Sequence, residues 1–325
     1  MRLFAALAVL ALALVLPFDS RAQSESDTIQ KHVTIGGITY DDGLGLGLKD
    51  PAGVFYQKTS GEVFIADAGN GRVIIYDSLL GATYTFKHFF KDRQTGKSER
   101  GEPRAVVVNS EGELVLLDAR SDRIELLDFR GRVLKSVAPS RLLGDSSLRL
   151  IMSAATIDNS DQVYLLVTGA VTRVLILDRD LELVRQFGEP GDLPNQLSSP
   201  SSIGVWQGKI YIGDIRGLPA VKVYDSTGSF LFGFASHDVN QEDISLPISF
   251  GFLENPITGP VILVLDGLRQ AVKLYNMEGA FVTTIGGFGY LPGLLQYPSG
   301  ISTDGVARFY VVEKGGGRVQ RYDIK

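Results

Sequence analysis

The chain has 325 residues, 44% of them hydrophobic, with 32 Lys and Arg against 37 Asp and Glu. A formal charge of −5 gives no electrostatic footprint for nucleic acid or for an anionic membrane surface. With no Cys anywhere, structural disulfides, thiol chemistry and a lipid-modified N-terminal Cys are excluded.

Taken in order, Met1 and Arg2 precede an apolar run over 3–16, then Pro17 and the small-x-small end Ser20-Arg21-Ala22. This pattern reads as a secretory signal, 1–22, cleaved after Ala22. The run is too short to span a bilayer, which takes about 20 apolar residues. An exported protein, periplasmic or extracellular, is expected, with no membrane insertion once the signal is removed. Residues 23–30 are a polar, flexible lead-in, and 31–325 are expected to form one domain.

Within that domain a pattern recurs six times: EVFIADAGNGRVIIYD (62–77), ELVLLDARSDRIELLD (113–128), QVYLLVTGAVTRVLILD (162–178), KIYIGDIRGLPAVKVYD (209–225), VILVLDGLRQAVKLYN (261–276) and RFYVVEKGGGRVQRYD (308–323). Successive copies are about 47 to 52 residues apart, a blade-sized period. Each copy reads as two short strands joined by a polar turn that starts at Asp67, Asp118, Asp214, Asp266 or Glu313, with Val167 in the third copy. A further short strand precedes each copy and another follows most of them, with Gly, Asp, Asn and Ser at the turns. Four short antiparallel strands cannot keep both faces dry alone, whereas a ring of such sheets can. The apolar runs are nearly continuous, as in sheets covered on both faces. The expected fold is therefore all-β: a six-bladed β-propeller with four-stranded antiparallel blades.

The sixth copy ends after its third strand. Its missing outer strand should resemble VTTIGG (282–287), and KHVTIGG (31–37) supplies the match. The N-terminal strand, over 31–35, is expected to close the last blade and tie down both ends.

These blades resemble NHL repeats. The pattern is a Pro before the first strand, a Gly turn, an apolar run ending in Asp, a polar loop with Asn and Arg, and a second run ending in Asp. It appears as Pro51, Gly61, Asp67, Asn70, Arg72 and Asp77, and again as Pro103, Gly112, Asp118, Arg123, Asp128 and Gly131. Pro200, Gly208, Asp214, Asp225 and Gly228 continue it, then Pro298, Arg318 and Asp323. The third blade departs most, and the fourth and fifth carry Ala220 and Ala271 where others have Arg. The resemblance covers roughly 30–325 and implies a propeller ring.

In such a blade, the linker to the next blade and the turn between strands two and three leave from the same rim. The long inserts 87–101, 138–150 (with room for a short helix), 188–199, 235–245 and 286–297 therefore share one face, while the opposite rim has short turns. Loop length and variety on a rigid scaffold mark a binding face. Within 87–101, Phe89 and Phe90 with Lys91 and Arg93 are candidates for contacting an acidic partner; the alternative is a solvated loop with both rings folded onto the sheet. Asp67 with Arg72, Asp118 with Arg123 and Glu313 with Arg318 recur at one spacing. The expectation is a scaffold pair, the carboxylate accepting turn N–H groups and the Arg pairing with it. The alternative is a charged ring at the channel mouth gripping a polar ligand, with Arg72, Arg123, Arg318, Asp214 and Asp266 as binding residues. Asp41-Asp42 offers carboxylates to a hard cation or, more simply, a solvated turn.

No catalytic constellation is visible. Some propellers similar to NHL repeats, the peptidyl-hydroxyglycine lyases, hold Zn on channel His residues, but His32, His88 and His237 fall on an outer strand and in two separate loops. Neither a nucleophile elbow nor a phosphate loop occurs. Trp206 is expected as packing at the rim rather than as a stacking platform. The reading is a monomeric, non-catalytic binding or scaffolding propeller with a protein or peptide partner, no metal and no cofactor. Two alternatives are an enzyme with a metal or carboxylate site in the channel, and a carbohydrate- or small-ligand-binding propeller.

Overall fold

The computed structural model describes residues 32–91, 95–254 and 259–325. The signal segment, the lead-in, Lys31 and Arg93 lie outside them.

The first blade shows how local sequence builds the unit. Its strands are Pro51–Gln57, Glu62–Asp67, Arg72–Tyr76 and Ala82–Lys87, each antiparallel to its neighbour. The two central strands, EVFIAD and RVIIY, are rich in branched and aromatic side chains and buried along nearly their whole length. They lie between blades, so both faces are covered and alternation disappears. The outer strand ATYTFK is mostly exposed.

The same order recurs in blades two to five, whose inner strands are Pro103–Val108, Leu150–Ile157, Pro200–Trp206 and Pro247–Leu253. The sixth blade is composite. Pro298–Thr303, Arg308–Glu313 and Arg318–Ile324 are completed by Val33–Thr39, with Val33 opposite Ile324 and Thr39 opposite Val319. The expected clasp is present and runs four residues further than 31–35. The insert 138–150 carries its expected short helix, Pro139–Leu142.

The molecule is a six-bladed β-propeller, and its core is six cores. One hydrophobic cluster fills each gap between consecutive blades. The gap between blades six and one packs Tyr310, Val312 and Val319 on Val63, Ile65 and Ile74. Burying each large apolar side chain contributes about 1.5–3 kcal/mol, so an open ring would forfeit a whole cluster.

Around the axis, polar side chains staple neighbouring inner strands. Ser202 Oγ donates to Pro247 O at 2.8 Å, Thr303 Oγ1 to Phe252 O at 2.7 Å, and Ser299 Oγ to Pro51 O at 2.7 Å. Gln57 Nε2 donates to Asn109 O at 3.1 Å between blades one and two. These bonds satisfy edge groups that the four-stranded ladders leave open.

Candidate functional site: the long-loop rim and the central channel

Pro51 lies opposite Asp67 and Pro298 opposite Glu313, so inner strands start where second strands end. The linkers and the acidic turns therefore share a rim. The acids themselves sit inside it. Asp67 Oδ1 accepts Lys49 N–H at 2.8 Å, Asp118 Oδ2 accepts Glu102 N–H at 2.6 Å, and Glu313 Oε2 accepts Gln296 N–H at 2.7 Å. Asp214 accepts the N–H groups of Ser198 and Ser199, and Asp266 those of Ser245 and Leu246. Each carboxylate thus clamps the linker that enters its own blade.

A buried carboxylate needs a cation, and the blades supply it differently. Arg72 Nε donates to Asp67 Oδ2 at 2.6 Å, and its Nη1 to Asp42 Oδ2 at 2.5 Å. Asp42 is consequently buried, neither a solvated turn nor free to take a cation. Arg318 Nε pairs with Glu313 Oε1 at 2.8 Å, and Gln320 Nε2 donates to the same oxygen at 2.6 Å. Where Arg is replaced by Ala220 and Ala271, the ammonium moves two residues along the same strand face. Lys222 Nζ, fully buried, lies 3.3 Å from Asp214 Oδ2; in blade five Arg269 Nε lies 3.9 Å from Asp266 Oδ2, while buried Lys273 donates to the Gln241 carbonyl. Burial alone would raise the Asp214 pKa. The N–H groups of Ser199, Ser198 and Gly217 and the Lys222 charge outweigh it and hold the carboxyl below its ordinary range. In blade three, where Val167 replaces the acid, Arg173 Nη1 turns to the Gly188 carbonyl at 2.5 Å.

Blade two corrects one expectation. Arg123 does not pair with Asp118; it points outward, Nε donating to Ser136 Oγ at 2.6 Å. The linker brings His88 into the space instead, with Nε2 3.2 Å from Asp118 Oδ2 and 3.8 Å from Glu125 Oε2. Gly101 makes room: a Cβ there would stand 2.2 Å from His88 Cδ2. His237 is engaged by two backbone carbonyls, Ile244 O at 2.8 Å and Gly217 O at 3.0 Å. Among the described residues no group of three or more His, Asp and Glu is placed to hold a metal ion.

The candidate contact residues separate. Phe89–Lys91 pairs with Ser98–Arg100 as a small hairpin. Phe90 folds inward beneath the Arg120 guanidinium, 5.5 Å from its ring centre, while Phe89 and Lys91 stay exposed. Arg72, Arg318, Asp214 and Asp266 are buried in the clamps, and Arg123 is half-buried.

What sequence reasoning missed is the apolar surface at the loop tips. Leu44, Val239, Leu268, Tyr290, Leu291 and Tyr297 all stand out on the long-loop rim, Leu44 at 87% and Val239 at 82% exposure. They come from the crossing into blade one and from the linkers and turns of blades four to six. Apolar residues in Gly-rich loops carry no periodic signal; only their concentration in the linkers of one half of the ring could have drawn notice.

Down the axis runs a channel of ≈ 770 Å³ lined by all six inner strands. Its floor, at the short-turn rim, is spanned by Lys58 of blade one, whose Nζ lies 5.1 Å from the ring centre of Trp206 on blade four. Trp206 stacks on Phe252 at 5.6 Å and 15°. That packing role matches the expectation for it, and its indole N–H is buried without a hydrogen-bond partner among the described residues.

No family model matches the chain. A stretch of 129 residues is 27% identical to Protein brain tumor of Drosophila melanogaster, covering 39% of this chain and 12% of that protein. Another, of 140 residues, is 29% identical to the B-box type zinc finger protein ncl-1 of Caenorhabditis elegans, covering 43% and 16%. The matched region thus spans less than a fifth of either relative. Among solved structures, a Bacteroides thetaiotaomicron protein of unknown function superposes with a TM-score of 0.60 at 13% identity, over 90% of this chain and 76% of that one. Streptogramin B lyase superposes at 0.58 and 11%, over 91% and 99%. The β-propeller domain of Myceliophteria thermophila Cps50 (Swd1) superposes at 0.53 and 12%, over 90% and 100%. At these identities the likeness shows the propeller fold alone.

Proposed function

We propose that this chain is an exported, NHL-like propeller that acts as a non-catalytic binding or scaffolding module, holding a protein or peptide partner on its long-loop rim. The NHL-like reading rests on the repeated Pro, Asp, Arg and Asp positions. The observation that carries the binding role is the set of apolar tips on that rim. Large exposed apolar side chains collected on one face of a water-facing domain favour burial against a partner. The rim is anchored by the buried clamps, so its shape is set before contact and less ordering entropy opposes binding.

The test is cross-linked capture from the native envelope, comparing the unmodified protein with a rim variant, Leu268→Ser/Tyr290→Ser/Leu291→Ser. A control variant of the opposite rim, Leu79→Ser/Val306→Ser, changes exposed apolar residues on the short turns. The proposal expects one specific partner, lost with the first variant and kept with the second. Equal capture by all three sinks it.

A further inference from the structure

Each inner strand carries one extra residue near the long-loop rim. The pairing register slips between Pro51 and Gly53, Pro103 and Ala105, Met152 and Ala154, Pro200 and Ser202, Pro247 and Ser249, and Pro298 and Gly300. A bulge re-aims the side chain of the extra residue. Those six residues are Ala52, Arg104, Ser153, Ser201, Ile248 and Ser299, and all line the channel. Five are small or apolar. The sixth, Arg104, is exposed, on an innermost strand whose accessible side is the channel. Its guanidinium has neither an ion pair nor a hydrogen bond among the described residues.

The charged side chains that line the upper channel are one-signed. Lys314, exposed and without an ion pair among the described residues, lines the same mouth. The carboxylates that line the channel are Asp158 and Asp161, both in a turn at the opposite end. Both are occupied: Asp161 accepts Ser110 N–H at 2.8 Å, and Asp158 accepts the Tyr164 hydroxyl at 3.0 Å. The repeat-turn acids of the upper rim are buried in the linker clamps, and its exposed acids, among them Asp50 and Glu102, do not line the channel. So a chain of net charge −5 presents two unneutralised cations to the upper channel. Below them the wall mixes aromatic and hydroxyl side chains: Phe250 and Phe252, stacked at 6.4 Å and largely buried between blades, stand among Ser202, Ser249, Ser302 and Thr303. The volume falls within the usual range for small-ligand sites.

We infer that the upper channel is a binding site for a carboxylate carried on an apolar body, with Arg104 as the anchor. The planar guanidinium offers two parallel N–H groups to the two carboxylate oxygens. Lys314 adds a second positive charge at the mouth, and the accessible edges of Phe250 and Phe252 take the apolar body. Two sources share this chemistry: a free organic acid, and the C-terminal end of a peptide. The inference concerns the channel and stands apart from the rim reading. It fails without altering capture by Leu268, Tyr290 and Leu291.

Isothermal titration calorimetry tests it on the purified protein. The probes are 4-phenylbutyrate, its neutral amide, and the tripeptide Ala-Ala-Phe with a free or an amidated C-terminus. At least one acid is expected to bind saturably and its amide not to. Arg104→Gln should weaken that acid by about tenfold or more, with Arg104→Lys between the two. Because the Arg104 guanidinium makes no hydrogen bond or ion pair among the described residues, both variants should unfold near the parent's midpoint, which separates lost binding from lost fold. Tight binding of the peptide acid alone identifies a chain end; binding of phenylbutyrate identifies a free acid. No acid binding at millimolar concentration, an amide that binds as well as its acid, or full affinity in Arg104→Gln overturns the inference.

Discussion

His88 faces Asp118: its Nε2 lies 3.2 Å from the Asp118 carboxylate, in the place where the repeat pattern puts an arginine. Both side chains are buried. His88 belongs to the linker and Asp118 to the second strand of blade two, so the contact fixes how blade two receives its linker. Replacing His88 by Leu sets an apolar side chain against the buried Asp118 and Glu125 carboxylates and should cost about 2–3 kcal/mol, as when a buried polar group loses its polar neighbour. Arg123→Leu removes only bonds to Ser136 and should cost about 1 kcal/mol. Urea unfolding measures both. Equal losses, or a larger loss for Arg123→Leu, would contradict the assignment.

Lys222 makes the same argument in blade four. Lys222→Met keeps the volume and removes the ammonium beside Asp214. The carboxylate retains its backbone donors, so a loss of about 2–3 kcal/mol is expected, below that of a wholly stranded charge. A neutral substitution would mean that the N–H groups alone hold Asp214.

Glu125 should give a pH signature. Burial raises its pKa above the ordinary value, and nearby His88 and the Ser136 hydroxyl oppose this only in part. Because the folded pKa lies above the unfolded one, its contribution to stability is fully present below the unfolded pKa and is lost as pH rises through the folded value. Glu125→Gln should therefore raise the thermal midpoint at pH 7.5 and change it little at pH 4. A variant less stable than the parent at pH 7.5 would show that the carboxylate is needed in its charged form.

The ring was legible because it is written in periods. Runs such as EVFIAD and RVIIY are apolar throughout since blades cover both faces, and 31–37 repeats 282–287 because the two do the same job on their blades. The acids were legible as clamps because each enters a turn. Their counter-ions were only partly so. Arg72 and Arg318 sit at the repeat position, but which cation reaches Asp118 depends on the path of 88–102, which has no repeat to fix it. Lys222 and Lys273 escaped notice because a two-residue shift along a strand keeps the same face while leaving the motif. Arg104 was invisible for a related reason: only the register slip between Pro103 and Ala105 turns it to the channel.

The closure of the ring can be tested directly, because the chain has no cysteine of its own. Thr34 lies opposite Asp323 in the strand pair that joins the two ends. In the Thr34→Cys/Asp323→Cys variant, mild oxidation should form one intramolecular disulfide, seen by mass spectrometry under non-reducing conditions, and should raise the unfolding midpoint over the reduced form. Thiols that stay free, or that link only between molecules, would mean that the N-terminal strand does not complete the sixth blade.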